Sequence, residues 1–314
     1  MDPEALVLFT IEIGRNDPRL FDELMDWITL NGRYLSLQRI HNLTPNAPER
    51  KALVSAVVAW CAEHNPSLRW RARRRRSSRI EDVPVFSPRV LDYVGDPDPM
   101  FRQFGFLRPR AQRSGKSREP ALADPVSFSL RMRAFFGPGT KPEILRFLLT
   151  SEELAAPVAR IGQAIGYSKR NVNDALVSLA DAGVVNARWR GNERVFNLSP
   201  GEWLNLLEIE SPPRWVEWIP LLRALTVLAE WLAEPADAEE SHYMRASRAR
   251  GLVERIGGDL TSAGLELPDA RDYPGPAYWE AFQVILGKVL VFLGLGQAAT
   301  ELVRSSPSPT EPEG

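Results

Sequence analysis

Residues 141–199 read KPEILRFLLTSEELAAPVARIGQAIGYSKRNVNDALVSLADAGVVNARWRGNERVFNLS. Three short helical patterns are followed at once by two strand patterns. Pro142 suits the first turn of a helix, where a missing N–H is harmless. Ile144, Leu145, Leu148 and Leu149 recur at helical spacing. Pro157 opens a second helix with Val158, Ile161 and Ile165 on one face, and Gly166 suits its tight ending. Ser168 is a good N-cap for a third helix, whose apolar stripe is Val172, Leu176 and Leu179. Lys169, Arg170, Asn171 and Asn173 occupy its first turns, largely away from that stripe. After Gly183 a strand begins at Val184, Gly191 and Asn192 make a turn, and Val195, Phe196 and Leu198 lie on the return strand.

This segment resembles the winged helix-turn-helix module of bacterial transcriptional regulators, the broad group that includes ArsR- and MarR-type repressors. The residues that carry the resemblance are PVARIGQAIGYSKRNVNDALVSLADAGVV and the hairpin ARWRGNERVFNLS. The resemblance implies that the third helix enters the major groove of double-stranded DNA and that the hairpin, or wing, touches the backbone or minor groove. By position Ser168, Lys169, Arg170, Asn171 and Asn173 fall on the reading helix, and Arg188, Arg190 and Arg194 on the wing. The chemistry suits the placement. Arginine and asparagine bond base edges bidentately, each good pair discriminating by about 1–3 kcal/mol. Lysine and serine at a helix start hold phosphate beside the free N–H groups there. The competing reading is a winged helix used as a plain protein-binding module.

Composition fits a soluble globular chain of two or three domains: 314 residues, 44% hydrophobic and 25% charged. The single cysteine, Cys61, excludes an internal disulfide framework and fits a reducing, cytoplasmic setting. The longest apolar run, near Val289, is too short to span a bilayer, and the N-terminus lacks the features of a signal peptide. The net charge of −1 hides a division. The chain is basic from Arg69 to Arg133 and acidic after Ser199. In RWRARRRRSSR, the residues Arg73, Arg74, Arg75 and Arg76 form an arm suited to phosphates, where each charge neutralised steepens the salt dependence of duplex binding by roughly 0.9. A solvated arm without a partner is the alternative.

Upstream, residues 1–81 read as helices starting at Asp2–Pro3, Asp17–Pro18, Ser36 and Ala47, followed by the arginine-rich stretch. That order matches a second, degenerate winged helix with a return strand around Val85, or else a plain helical domain. Residues 82–126 are rich in proline, glycine and arginine. The aromatics of their first half suggest docking on a domain, whereas Arg108 to Glu119 reads as a flexible basic linker. The Gly115-Lys116-Ser117 triplet lacks the earlier glycine of a phosphate loop, since position 110 is Arg110. The reading module spans 127–200, helices suited to a bundle span 201–304, and a disordered tail spans 305–314.

The expectation is thus a mainly α protein with a small hairpin, flanked by helical domains. By the resemblance it dimerises through helices beside the module and reads two half-sites about one turn apart. Trp215, Trp218, Tyr243 and Trp279 could line a ligand pocket, although aromatics at helical spacing are more often core. An enzyme is disfavoured: His41, His64 and His242 have no second ligand at metal spacing, and no nucleophile elbow or dinucleotide loop is present. No cofactor or metal is expected. The other class is an interaction protein, such as an antitoxin or defence-operon component, whose acidic C-terminal half covers a basic partner surface.

Overall fold

The computed structural model describes residues 1–71, 82–91, 95–234 and 240–294. Arg73, Arg74, Arg75, Arg76 and the 305–314 tail lie outside the described residues. The chain divides into two compact units, Met1–Ile219 and Pro220–Gly314.

The first unit opens with α1 (Pro3–Ile13), α2 (Pro18–Asn31), α3 (Leu37–Leu43) and α4 (Pro48–His64). Three of these begin at side-chain caps that the sequence marks: Asp2 accepts from the Ala5 N–H, Asp17 from Arg19 and Leu20, and Ser36 from Arg39. Helix α4 is buried over most of its circumference, including Leu53, Val57, Trp60 and Cys61. The Cys61 thiol is pushed by burial up to about 12, so it is inert as a nucleophile.

The aromatics in the first half of residues 82–126 dock as expected, whereas the stretch from Arg108 to Glu119 differs from the flexible linker expected of it. Strand β1 (Val83–Pro84) pairs in parallel with β2 (Phe106–Leu107), on either side of α5 (Pro99–Arg102). Val85, Phe86, Phe101, Phe104 and Phe106 join the core formed by the first four helices. The arginine-rich strand expected to pair with a return strand near Val85 lies largely outside the described residues, and among the described residues Val83–Pro84 pairs with β2. The basic stretch that follows is not free. Arg108 is 2% exposed, bonds Asp22 and sits over the rings of Phe21, Phe86 and Phe101. The Ser114 N–H donates to Asp26 at 2.6 Å, and the Asn31 side chain donates to the Arg118 carbonyl at 3.0 Å. Acidic and amide groups of α2 thus hold a segment whose composition alone reads as solvated.

Next come α6 (Phe128–Phe136), α7 (Thr140–Thr150), β3 (Ala156–Pro157), α8 (Val158–Ile165), α9 (Lys169–Asp181), β4 (Asn186–Arg190) and β5 (Glu193–Asn197). The three strands make an antiparallel sheet in the order β3-β5-β4. A second core gathers Ile144, Phe147, Ile161, Val172, Leu176 and Phe196 beneath it. The β4–β5 connection is Gly191-Asn192. Gly191 has φ of 63° and Asn192 stays in the ordinary region, the pattern of a two-residue type II′ turn.

After α10 (Pro200–Leu206), α11 (Trp218–Ala233) leads into the second unit, where α12 (His242–Ser262) and α13 (Tyr278–Phe292) pack together. Ala246, Ala249, Leu252, Ile256 and Leu260 form the buried stripe of α12, and Tyr278, Phe282, Ile285 and Val289 that of α13. Trp231 meets Phe282 edge-on at 5.3 Å. Of the aromatics considered for a pocket, Trp215 packs edge-on against Phe147 at 5.0 Å, Trp279 packs on Phe282 at 5.4 Å and Tyr243 is 65% exposed. Among the described residues no helix is long and apolar enough to cross a membrane.

Candidate nucleic-acid interface

The turn between α8 and α9 decides where the polar face of α9 points. Helix α8 ends at Gly166, φ 70°, and the Tyr167 N–H reaches back to the Gly162 carbonyl. A Cβ on Gly166 would also stand 2.7 Å from Leu43 Cδ2. Gly166→Ala is therefore expected to lower stability by about 1–3 kcal/mol from the backbone conformation alone, with the Leu43 contact adding to it. A drop in the urea midpoint with unchanged slope would bear this out, and an unchanged midpoint would refute it.

Ser168 then caps α9, accepting from the Asn171 N–H at 3.3 Å. Val172, Ala175, Leu176 and Leu179 turn inward, which leaves Ser168, Lys169, Arg170 and Asn173 exposed and Asn171 half-buried. On the hairpin, Arg188, Arg190 and Arg194 are all exposed, and the Arg194 guanidinium lies 5.2 Å from the Phe196 ring centre. Among the described residues Lys169, Arg170, Arg188 and Arg190 have no ion-pair partner. The face is not purely cationic. Asp174 and Asp181 are exposed on α9, and Glu193 stands opposite Arg190 in the strand register. Five cations against three carboxylates leave a modest positive excess. A residue missed in the sequence is Trp189, 71% exposed between Arg188 and Arg190; its aromatic character within a polar strand was the available signal.

Also missed was what fixes this face in place. Asp2, the cap of α1, and Glu4 within it, Arg39 of α3, Arg133 of α6, and Glu143 and Arg146 of α7 form one buried ionic cluster. Glu4 takes Arg39 at 2.6 Å, Arg133 at 2.7 Å and the Ser36 N–H at 2.7 Å. Arg133 spans from Glu4 to Glu143. Arg39 also donates through Nε to the Ile165 carbonyl at 2.7 Å, the end of α8, and Tyr167 Oη bonds Ser36 Oγ at 3.1 Å. The first helices thus grip the turn that aims α9.

The cluster makes stability acid-sensitive. Burial alone would push the carboxyls of Asp2 and Glu143 up. The guanidiniums outweigh it, Arg39 chiefly for Asp2, and Arg133, Arg146 and Arg39 for Glu143. Asp2 lies below the usual carboxylate range and Glu143 falls to about 2. A depressed carboxyl stabilises the fold above its unfolded value and loses that contribution as pH falls through the folded one. Unfolding free energy should therefore decline between about pH 4.5 and pH 2, more steeply in wild type than in Glu143→Gln; equal slopes would contradict the assignment.

Comparison with protein-family models, with curated proteins and with solved structures gave no match.

Proposed function

We propose that the first unit binds double-stranded DNA as a winged helix-turn-helix, with α9 in the major groove and the β4–β5 hairpin on the flanking backbone, and that the protein acts as a bacterial-type transcriptional regulator. The observation that carries the reading is the exposure, without ion-pair partners among the described residues, of Lys169, Arg170, Arg188 and Arg190 on an adjoining helix start and hairpin. Cations paired to the protein's own carboxylates would have little left for phosphate. The order α7, α8, turn, α9, hairpin, with β3 adding a third strand, fits the same assignment. Arg170 and Asn173 reach base edges, while Lys169, Arg188, Arg190 and Arg194 hold phosphates. Nuclease footprinting across the promoter of its own gene tests the reading. Protected half-sites about one helical turn apart support it, and an unprotected promoter together with no genomic site overturns it.

A second observation favours protein contact through the second unit. Val284 and Val291 are 46% and 62% exposed, two turns apart on α13, whose other face is already buried. We assign this surface to self-association as a homodimer, with a separate partner protein as the competing occupant. Sedimentation equilibrium at micromolar concentration should give a dimer for wild type and a monomer for Val284→Glu/Val291→Glu. A wild-type monomer that co-purifies with a neighbouring gene's product would favour the antitoxin-like reading instead.

A further inference from the structure

The hairpin carries an aromatic side chain that groove and phosphate contacts do not use. Trp189 is 71% exposed, and among the described residues its ring meets neither another ring nor a cation. The register explains the exposure. Trp189 stands opposite Arg194, one step beyond the Ala187–Phe196 pair on the same face of the sheet. Phe196 is fully buried at that inner step, and the outer step overhangs the core. An indole left in water forgoes much apolar burial. Arg194 stands across from it on the same face, and strand alternation puts Arg188 and Arg190 on the opposite face of the hairpin. An exposed indole beside Arg194, on a hairpin whose other face carries Arg188 and Arg190, matches a nucleobase held beside its own phosphates, because every base offers a stacking face and every linkage an anion.

We propose that Trp189 stacks on an unpaired or unstacked base, so that the protein favours duplex DNA containing a bulge or frayed step where the hairpin lands. The inference rests on the DNA-binding reading above and adds a structural preference to it. An intact duplex offers the ring only a wedge position, which requires partial unstacking, whereas a bulged base arrives already unstacked.

The test uses the full chain and two labelled duplexes of about 30 base pairs, identical except for one extrahelical 2-aminopurine. Wild type should bind the bulged duplex about tenfold tighter and quench the 2-aminopurine emission, a factor within the range for one base–aromatic stack. Trp189→Ala should bind both duplexes equally with an unchanged salt slope, and Trp189→Phe should keep most of the preference. Because the side chain is exposed, both variants should fold as wild type does, which circular dichroism checks. Equal wild-type affinity for the two duplexes, or a preference that survives Trp189→Ala, overturns the inference while leaving duplex binding intact. A variant that changes only self-association in sedimentation also overturns it. If wild type binds neither duplex, the DNA-binding reading fails as well.

Discussion

Replacing Arg39 with methionine is expected to destabilise the protein by about 3–5 kcal/mol, the usual consequence of removing one partner from a buried charge cluster. Arg39 is 0% exposed and faces two carboxylates, Asp2 and Glu4, that are themselves buried. Methionine fills a similar volume but leaves those carboxylates with Arg133 and Arg146 alone, and it frees the Ile165 carbonyl at the end of α8. Denaturant unfolding measures the loss. The double variant Arg39→Met/Glu4→Gln should recover part of it, because the second change removes a stranded charge. A single-variant loss below about 1 kcal/mol would mean that the cluster is not one interacting unit. The matched count of three guanidiniums and three carboxylates argues for the larger figure, since removing any one leaves an uncompensated charge in a dry setting.

Arg170→Ala and Arg190→Ala should behave in the opposite way. Both side chains are exposed, so stability should stay within about 0.5 kcal/mol of wild type. Duplex affinity should fall. On the proposed reading, losing a base contact at Arg170 should weaken binding by about 1–3 kcal/mol, roughly five- to 150-fold, and relax the sequence preference at that position. On the same reading, losing a phosphate contact at Arg190 should weaken all sequences alike and reduce the salt slope by about one. The two variants thus separate reading from holding. A uniform loss in Arg170→Ala would move that residue from the bases to the backbone. Asp174, one turn along α9 from Arg170, supplies a further check: Asp174→Asn should tighten binding, since it removes a like charge from the phosphates' side.

The parts of this fold that the sequence makes legible are the local ones. Ser168, the stripe from Val172 to Leu179, Gly166 and Gly191-Asn192 each act over a few residues, and caps, periodicity and turn chemistry suffice to place them. The ionic cluster was not legible. Its bonds join residues as far apart as Glu4 and Arg133, and charged residues near helix starts ordinarily read as solvated. In retrospect the signal was Arg133 within SLRMRAFF, a cation surrounded by apolar residues on a short helix. Segment 108–119 misled for a related reason. Its arginines and glycine describe a free chain only if nothing acidic waits for it, and Asp22 and Asp26 of α2 do. The parallel pairing of Val83 with Phe106 was equally hidden, because strands of two residues carry no alternation to read.

Salt titration of duplex binding tests the central claim most directly. Wild-type protein is titrated against fragments of the genome that carry its own promoter, by anisotropy or gel shift, from about 50 to 200 mM salt. The account predicts a linear fall of log K with log salt, of slope about −0.9 for each phosphate held, made shallower by Arg190→Ala. It would be contradicted by no measurable binding at 50 mM, or by an affinity that neither salt nor the loss of Arg170 and Arg190 changes.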